Sequence, residues 1–181
     1  FFKKSLLFGS HKFKMIINKI KIFLNKNNNI LILPEAGYDE AIYMFKNSLK
    51  IASKISNYNI IFRFHPMTET NIILSKFKHY KNLSNFIISD HSLEHDSLNA
   101  KFAIYNGSSS VIESVLYGVL PIYFQGDNEQ FTLNTLININ KYVFEAQDFF
   151  SIINFINNDA NSFYNKEKQN RIVNYCQDHY E

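Results

Sequence analysis

The sequence predicts an α/β fold, with a Rossmann-like parallel sheet that carries helices on both faces. Short apolar runs end at or next to Pro34, Pro66, Gly107 and Gly126, as strands do where they meet loops. Segments with helical periodicity separate these runs, and strands that alternate with helices at this spacing are typical of parallel sheets. Polar residues directly follow several runs, so they are expected at the carboxyl edge of the sheet, where ligands bind.

The strands follow from apolar runs bounded by breakers. The first run precedes Pro34, the second leads into Pro66, a third is short, and the fourth ends at Asn106-Gly107. Pro121 opens the fifth, and a last short run comes after it. These runs predict strands over 30–33, 60–64, 86–88, 102–105, 122–124 and 142–144.

The helices follow from apolar residues that recur every three or four positions. Between the first two strands, Ala41, Phe45 and Leu49 share one side, and Gly118 closes a later helix. Helices are predicted over 40–54, 71–80, 93–99, 111–117, 149–156 and 161–180. The chain is accordingly divided into an N-terminal segment (1–29), a Rossmann-like domain (30–160) and a C-terminal helix (161–181).

Composition limits the class of protein. The 181 residues suffice for one domain with a real core, and 46% of them are hydrophobic, which is typical of globular chains. A net charge of +3 is too small for a nucleic-acid footprint. The lone Cys176 excludes a disulfide framework and suits a reducing compartment. The chain opens on Phe1 without Met, so we expect a fragment of a larger protein that has a further N-terminal domain.

The segment 11–26 has the sequence pattern of a basic amphipathic helix. One face carries apolar residues and the other carries lysines and asparagines. Such a helix lies on an anionic membrane surface, or it packs against the sheet or another domain. The expected location is the cytoplasm. Peripheral contact of this helix with the inner face of the membrane is an open alternative.

The segment 101–124 is the most informative stretch. A strand runs into Asn106-Gly107 and then into Ser108, Ser109 and Ser110, where a helix begins. Hydroxyls and backbone amides at such a point can hold a phosphate. The alternative is structural, because Ser110 with Glu113 forms a capping-box pattern. Glu113 is either the cap partner or a ligand for ribose hydroxyls.

Two further segments carry chemistry-bearing residues at strand ends. His65 ends an apolar strand and is held extended by Pro66, so it can donate to a phosphate oxygen and neutralise a leaving nucleotide. In Glu35-Ala36-Gly37, Glu35 is a candidate base or sugar-hydroxyl ligand, and Gly37 permits close backbone approach. A histidine satisfied within the core and an acidic turn before a helix are the structural alternatives.

No metal site is predicted. Glu94, His95 and Asp96 are metal-like in type, but as consecutive helical residues they point in different directions. Together with His91 they are interpreted as a solvated helix start. The polar residues 127–130 follow a strand end and are possible sugar contacts.

The succession of PEAG (34–37), RFHP (63–66) and the stretch SLEHDSLNAKFAIYNGSSS (92–110) resembles the C-terminal domain of GT-B glycosyltransferases. It is most similar to bacterial enzymes of surface-carbohydrate synthesis that carry an HP and an SS motif, namely the bacterial sialyltransferases. More distantly it resembles the CDP-glycerol glycerophosphotransferases. The resemblance spans about 30–124.

The resemblance implies one half of a GT-B architecture and an inverting, metal-independent transferase that uses a CMP-sugar. By the same resemblance, His65 and the hydroxyls of 108–110 contact the leaving phosphate, and the base lies in an acidic-acidic-glycine motif. Here Glu35-Ala36-Gly37 is the near match, with Ala36 in place of the second acid.

We therefore expect a glycosyltransferase domain that binds a nucleotide sugar without a cofactor and serves a cell-surface glycan such as capsule or lipopolysaccharide. The expected catalytic residues are His65 and Glu35. The expected nucleotide and phosphate contacts are Gly37, Pro66, Asn106, Gly107, Ser108, Ser109, Ser110 and Glu113. A nucleotide-sugar epimerase of the same architecture and a non-catalytic docking domain remain as alternatives, and no nucleic acid is expected as a partner.

Overall fold

The computed structural model describes residues 27–126 and 134–178. This part of the chain contains a six-stranded, all-parallel sheet in the order β3-β2-β1-β4-β5-β6. The α/β, Rossmann-like fold predicted from the sequence is confirmed. The predicted amphipathic segment 11–26 lies outside the described residues, as do residues 127–130.

The strands are β1 (Asn29–Leu33), β2 (Asn59–Phe62), β3 (Phe86–Ile88), β4 (Phe102–Tyr105), β5 (Leu120–Phe124) and β6 (Phe144–Ala146). The α-helices are α1 (Tyr38–Ala52), α2 (Thr70–Lys76), α3 (Leu93–Asn99), α4 (Ser110–Leu116), α5 (Phe149–Asn154), α6 (Ala160–Phe163) and α7 (Lys166–Asp178). Tighter or wider helical turns add Lys78–Asn82, Ile137–Tyr142 and Phe155–Asp159. None of the helices in these described ranges is both long and apolar enough to cross a membrane.

The central strands are continuous apolar runs in the sequence because they are buried in the sheet. β4 and β5 are buried along their whole length, as a parallel sheet covered on both faces requires. On one side of the sheet, the fully buried ring of Phe45 from α1 contacts five aromatic rings. They belong to Phe62, Phe64, Phe77, Tyr80 and Phe86, with centroids 4.8–6.0 Å away.

The C-terminal helices close the other end of the core. Tyr164, which is 4% exposed, donates its hydroxyl to the carbonyl of Pro121 and accepts from the backbone N–H of Phe144. It therefore joins β5 to the start of β6. Cys176 on α7 is fully buried, and burial raises the pKa of its thiol to about 12.

Several predicted boundaries are wrong: the strand predicted over 60–64 ends at Phe62, the strand predicted from 122 begins at Leu120, and the helix predicted over 40–54 is Tyr38–Ala52. Three others differ for a tertiary reason. The predicted helix 161–180 breaks at Tyr164, whose backbone leaves the helical region where its hydroxyl reaches the sheet. The predicted helix 71–80 ends at Lys76, since Phe77 adopts φ −119° and packs against Phe45. The last strand begins at Phe144 rather than 142, because a 3₁₀ turn holds the preceding residues.

The strand order places a switch point between β1 and β4. The chain winds outward through β2 and β3 on one side of β1, and through β5 and β6 on the other side of β4. At such a point the loops leaving the two central strands diverge and open a crevice at the carboxyl edge. Those loops start at Pro34 and at Asn106.

Candidate functional site

A cavity of about 320 Å³ lies at this carboxyl edge. Six of the residues singled out in the sequence line it: His65, Pro66, Ser108, Ser109, Ser110 and Glu113. They come from the end of β2 and from the β4–α4 junction, which are distant in sequence. Leu33 and Pro34, from the end of β1, also line the cavity. The parallel topology therefore brings the RFHP segment and the serine loop together.

The serine loop, residues 107–110, is held in place by hydrogen bonds, and the N–H groups of residues 111 and 112 already donate to the carbonyls of Ser108 and Ser109. Gly107 has φ +74°, and its carbonyl accepts a 2.6 Å hydrogen bond from the Thr135 hydroxyl. The Ser108 and Ser110 hydroxyls lie 2.7 Å apart and bond each other. The N-cap of α4 is Ser109, and its side chain makes no capping hydrogen bond. The capping-box interpretation with Ser110 as the N-cap is therefore wrong.

Asn106 supports the serine loop from the protein interior. It is 5% exposed, and its Nδ2 donates to the carbonyl of Phe124 at 2.6 Å, which ties β4 to the end of β5. Its Oδ1 is buried without a hydrogen-bond partner in the described part of the chain. Asn106 does not line the cavity, so the structure places it as a support of the loop.

The His65 ring has a defined hydrogen-bond orientation. Its Nδ1 accepts a 3.2 Å hydrogen bond from the backbone N–H of Met67. In the neutral imidazole this bond requires the proton to be on Nε2, because Nδ1 must keep its lone pair. His65 is partly exposed and lines the cavity. The turn after Pro66 thus makes Nε2 a hydrogen-bond donor.

Arg63 also lines the cavity, and the sequence analysis missed it. Its Nη1 lies 3.1 Å from Oδ2 of Asp96 and also donates to the carbonyl of His91. Asp96 is 2% exposed and accepts a further hydrogen bond from the Ser89 hydroxyl. The interpretation of Asp96 as part of a solvated helix start is therefore wrong.

A sequence signal for Asp96 did exist. Asp96 lies three residues after Leu93 and four before Ala100, the helical spacing of residues that share a face. Asp96 and Ala100 are both buried. Exposed His91 and His95 keep the solvated character expected of them, with ring centroids 4.2 Å apart. Within residues 27–126 and 134–178, no group of three His, Cys, Asp or Glu side chains could hold a metal ion.

Glu35 lies beside the serine loop, next to the cavity-lining Pro34. Its carboxylate takes up the space beside Gly107, since a Cβ built on Gly107 would be 1.6 Å from Oε1 of Glu35. Partial burial, followed by repulsion from Glu40, raises the pKa of Glu35 above its ordinary value. Gly37 is the N-cap of α1 with φ −61° and does not line the cavity.

The raised pKa of Glu35 predicts a pH-dependent effect of Glu35→Gln. A carboxyl whose pKa is higher in the folded state contributes stability that is complete below its unfolded pKa and is lost as the pH rises through the folded pKa. Glu35→Gln should therefore raise the free energy of unfolding at about pH 7, by less than about 1 kcal/mol because the side chain keeps part of its hydration.

Urea denaturation of both proteins at about pH 7 and about pH 3.5 measures this difference, which should disappear at the lower pH. Glu69→Gln, at an exposed position before α2, is the control for loss of one negative charge. A Glu35→Gln protein that is less stable than wild type at pH 7 contradicts the prediction.

No protein-family model matches the chain, and no curated protein sequence matches it. Solved structures do resemble it. One is the UDP-GlcNAc 2-epimerase of Methanocaldococcus jannaschii in complex with UDP-GlcNAc and UDP, with a TM-score of 0.51, 17% identity, and coverage of 92% of this chain and 48% of that one. Another is TarM, with a TM-score of 0.57, 13% identity, and coverage of 90% and 35%.

A third is the glycosyltransferase SnogD from Streptomyces nogalater, with a TM-score of 0.54, 11% identity, and coverage of 86% and 40%. The chain thus spans about half of these proteins or less. At such identities the likeness concerns the fold, which is the Rossmann-like domain found in GT-B proteins.

Proposed function

We propose that this chain is the nucleotide-sugar-binding domain of a glycosyltransferase. The observation that carries the proposal is the cavity at the switch point, where His65 and the serine loop converge. Both present hydrogen-bond donors of the kind that phosphate oxygens accept. The structural likeness to a glycosyltransferase and to an epimerase solved with UDP-GlcNAc and UDP supports this choice of ligand.

In the proposed reaction, an acceptor hydroxyl attacks the anomeric carbon and the configuration there is inverted. The bond from that carbon to the phosphate oxygen breaks, and its electron pair leaves with the nucleotide. The Nε2–H of His65 and the serine loop stabilise the developing charge through preorganised donors, without a metal ion or other cofactor. The acceptor proton passes to a base, for which Glu35 is the candidate because its carboxylate lies beside Gly107 of the serine loop and its pKa is raised.

The acceptor in this proposal is a glycan of a bacterial cell surface, and the donor is a CMP-sugar. Closure of a second domain over the cavity excludes water from the reaction. The described residues therefore bind the donor, and turnover requires the larger protein. The peripheral membrane contact proposed for 11–26 lies outside the described residues.

An epimerase is the second candidate, and the likeness to the M. jannaschii enzyme favours it. Such an enzyme needs no acceptor glycan and acts on a UDP-sugar. Preference for UDP over CMP, together with conversion of UDP-GlcNAc in the absence of any acceptor by the full-length protein, distinguishes it from the transferase.

The test is calorimetric titration of CMP, CDP, UDP and GDP into the chain without added metal. We expect saturable binding of one nucleotide. His65→Ala should weaken it about 10-fold or more, because one hydrogen bond to a charged group is lost. His79→Ala, which removes an exposed histidine in the turn Lys78–Asn82, is the matched control and should bind like wild type.

Ser108→Ala tests the other side of the cavity in the same titration. A folded wild-type chain that binds none of the four nucleotides contradicts the proposal. Binding that is unchanged in both His65→Ala and Ser108→Ala contradicts it as well, because the nucleotide would then lie elsewhere.

A further inference from the structure

The cavity contains a cation that neither the HP nor the SS segment accounts for. Arg63 lines the cavity at the end of β2, two residues before His65, and its side chain is 26% exposed. Its guanidinium is fixed from one side only. Nη1 donates to Asp96 and to the His91 carbonyl, while Nη2 and Nε make no hydrogen bond within the described residues.

The fixed side of the guanidinium is rigid for a physical reason. Asp96 is buried on α3 and has Ser89 as a second hydrogen-bond donor on the same oxygen. A buried carboxylate strongly retains its cationic partner, because an unpaired charge in that position is costly. The orientation of Arg63 is thus set before any ligand arrives.

The free side of a guanidinium suits one class of ligand. Its N–H groups form a planar fork that pairs with two oxygens of a phosphate, which an ammonium cannot match geometrically. Arg63 is the one Lys or Arg that lines the cavity within the described residues. Its only negatively charged neighbour in that lining is Glu113.

We propose that Arg63 is a phosphate-binding residue of this cavity and that Asp96 is its positioning residue. The inference rests on the proposed function, since it places the phosphate of the nucleotide between Arg63, His65 and the serine loop. Arg63 thus makes affinity depend on the phosphate rather than on the nucleoside. Asp96 touches no ligand and acts by holding the guanidinium in place.

The test measures how strongly affinity depends on the phosphate, as the ratio of nucleotide affinity to nucleoside affinity. The probe pair is the nucleotide that the chain binds and its own nucleoside, for example CMP with cytidine, UDP with uridine or GDP with guanosine, titrated by calorimetry or by NMR where binding is weak. Arg63→Gln should lower the affinity for the bound nucleotide by about 10- to 100-fold and leave nucleoside affinity within about 2-fold. Arg63→Lys should recover only part of the loss, because it restores charge without the fork.

Two further variants separate this role from a structural one. The double variant Arg63→Gln/Asp96→Asn removes both charges, so no unpaired buried carboxylate remains and the fold should survive. It should lose the nucleotide preference as Arg63→Gln does. Asp96→Asn alone should lower nucleotide affinity about 3- to 10-fold, since a neutral partner orients the guanidinium less firmly. Arg171→Gln, at the exposed arginine of α7, is the control for net charge.

The outcomes are distinguishable. A folded wild-type chain that binds none of the four nucleotides overturns the proposed function, and this role with it. A wild-type chain that prefers the nucleotide, alongside a folded double variant with the same preference, overturns the role of Arg63 alone. The expected result is a loss of preference confined to the variants of Arg63 and Asp96.

Discussion

Phe45→Ala should lower the free energy of unfolding by about 3–5 kcal/mol, the usual cost of removing a buried aromatic ring. Phe45 is fully buried, and its ring contacts five other aromatic rings. The contacting rings come from β2, β3 and the chain on either side of them, so the cavity left behind cannot close through the movement of one element. Urea denaturation followed by circular dichroism measures the loss.

Phe45→Ala should also weaken nucleotide binding in the cavity. Phe64, which lines the cavity next to His65, stacks on Phe45 with centroids 5.7 Å apart. Loss of that support should weaken nucleotide binding even where the variant remains folded. Phe150→Ala is the matched control, because its ring is 56% exposed and it should cost less than about 1 kcal/mol. Equal losses in the two variants would contradict this account of the core.

Gly107→Ala should have the second largest effect. Gly107 has φ +74°, where any residue with a Cβ is strained by about 1–2 kcal/mol. The new Cβ would also lie 1.6 Å from Oε1 of Glu35, so the carboxylate or the loop must move. We therefore expect the free energy of unfolding to fall by more than the backbone strain accounts for. Nucleotide binding should also weaken, because Ser108 directly follows Gly107.

A double variant separates the two causes. Glu35→Ala/Gly107→Ala removes the clash but keeps the backbone strain, so it should recover part of the stability lost in Gly107→Ala. Gly37→Ala is the control, since φ is −61° there and the Cβ would meet only the flexible carboxylate of Glu40. It should cost less than about 1 kcal/mol. Thermal denaturation of the four proteins decides, and a Gly107→Ala protein as stable as Gly37→Ala contradicts the prediction.

Local sequence patterns were sufficient to predict the bounds of some helices and strands. The helix Leu93–Asn99 and the strands Phe86–Ile88 and Phe102–Tyr105 have the predicted bounds, because apolar periodicity and flanking loop residues agree there. The break at Tyr164 could not be predicted this way. It depends on the Tyr164 hydroxyl reaching a carbonyl of β5, 43 residues away along the chain.

The candidate site shows the same division. The sequence by itself determined that His65-Pro66 and the serine loop follow strands of a parallel sheet, because hydrophobic runs and breakers act over a few residues. Only the tertiary structure decided that these loops face one another beside the switch point. It also decided that Asp96 is buried against Arg63 and that Ser110 bonds Ser108 instead of capping α4. Strand order and side-chain pairing depend on contacts between distant residues, and local patterns carry no information about them.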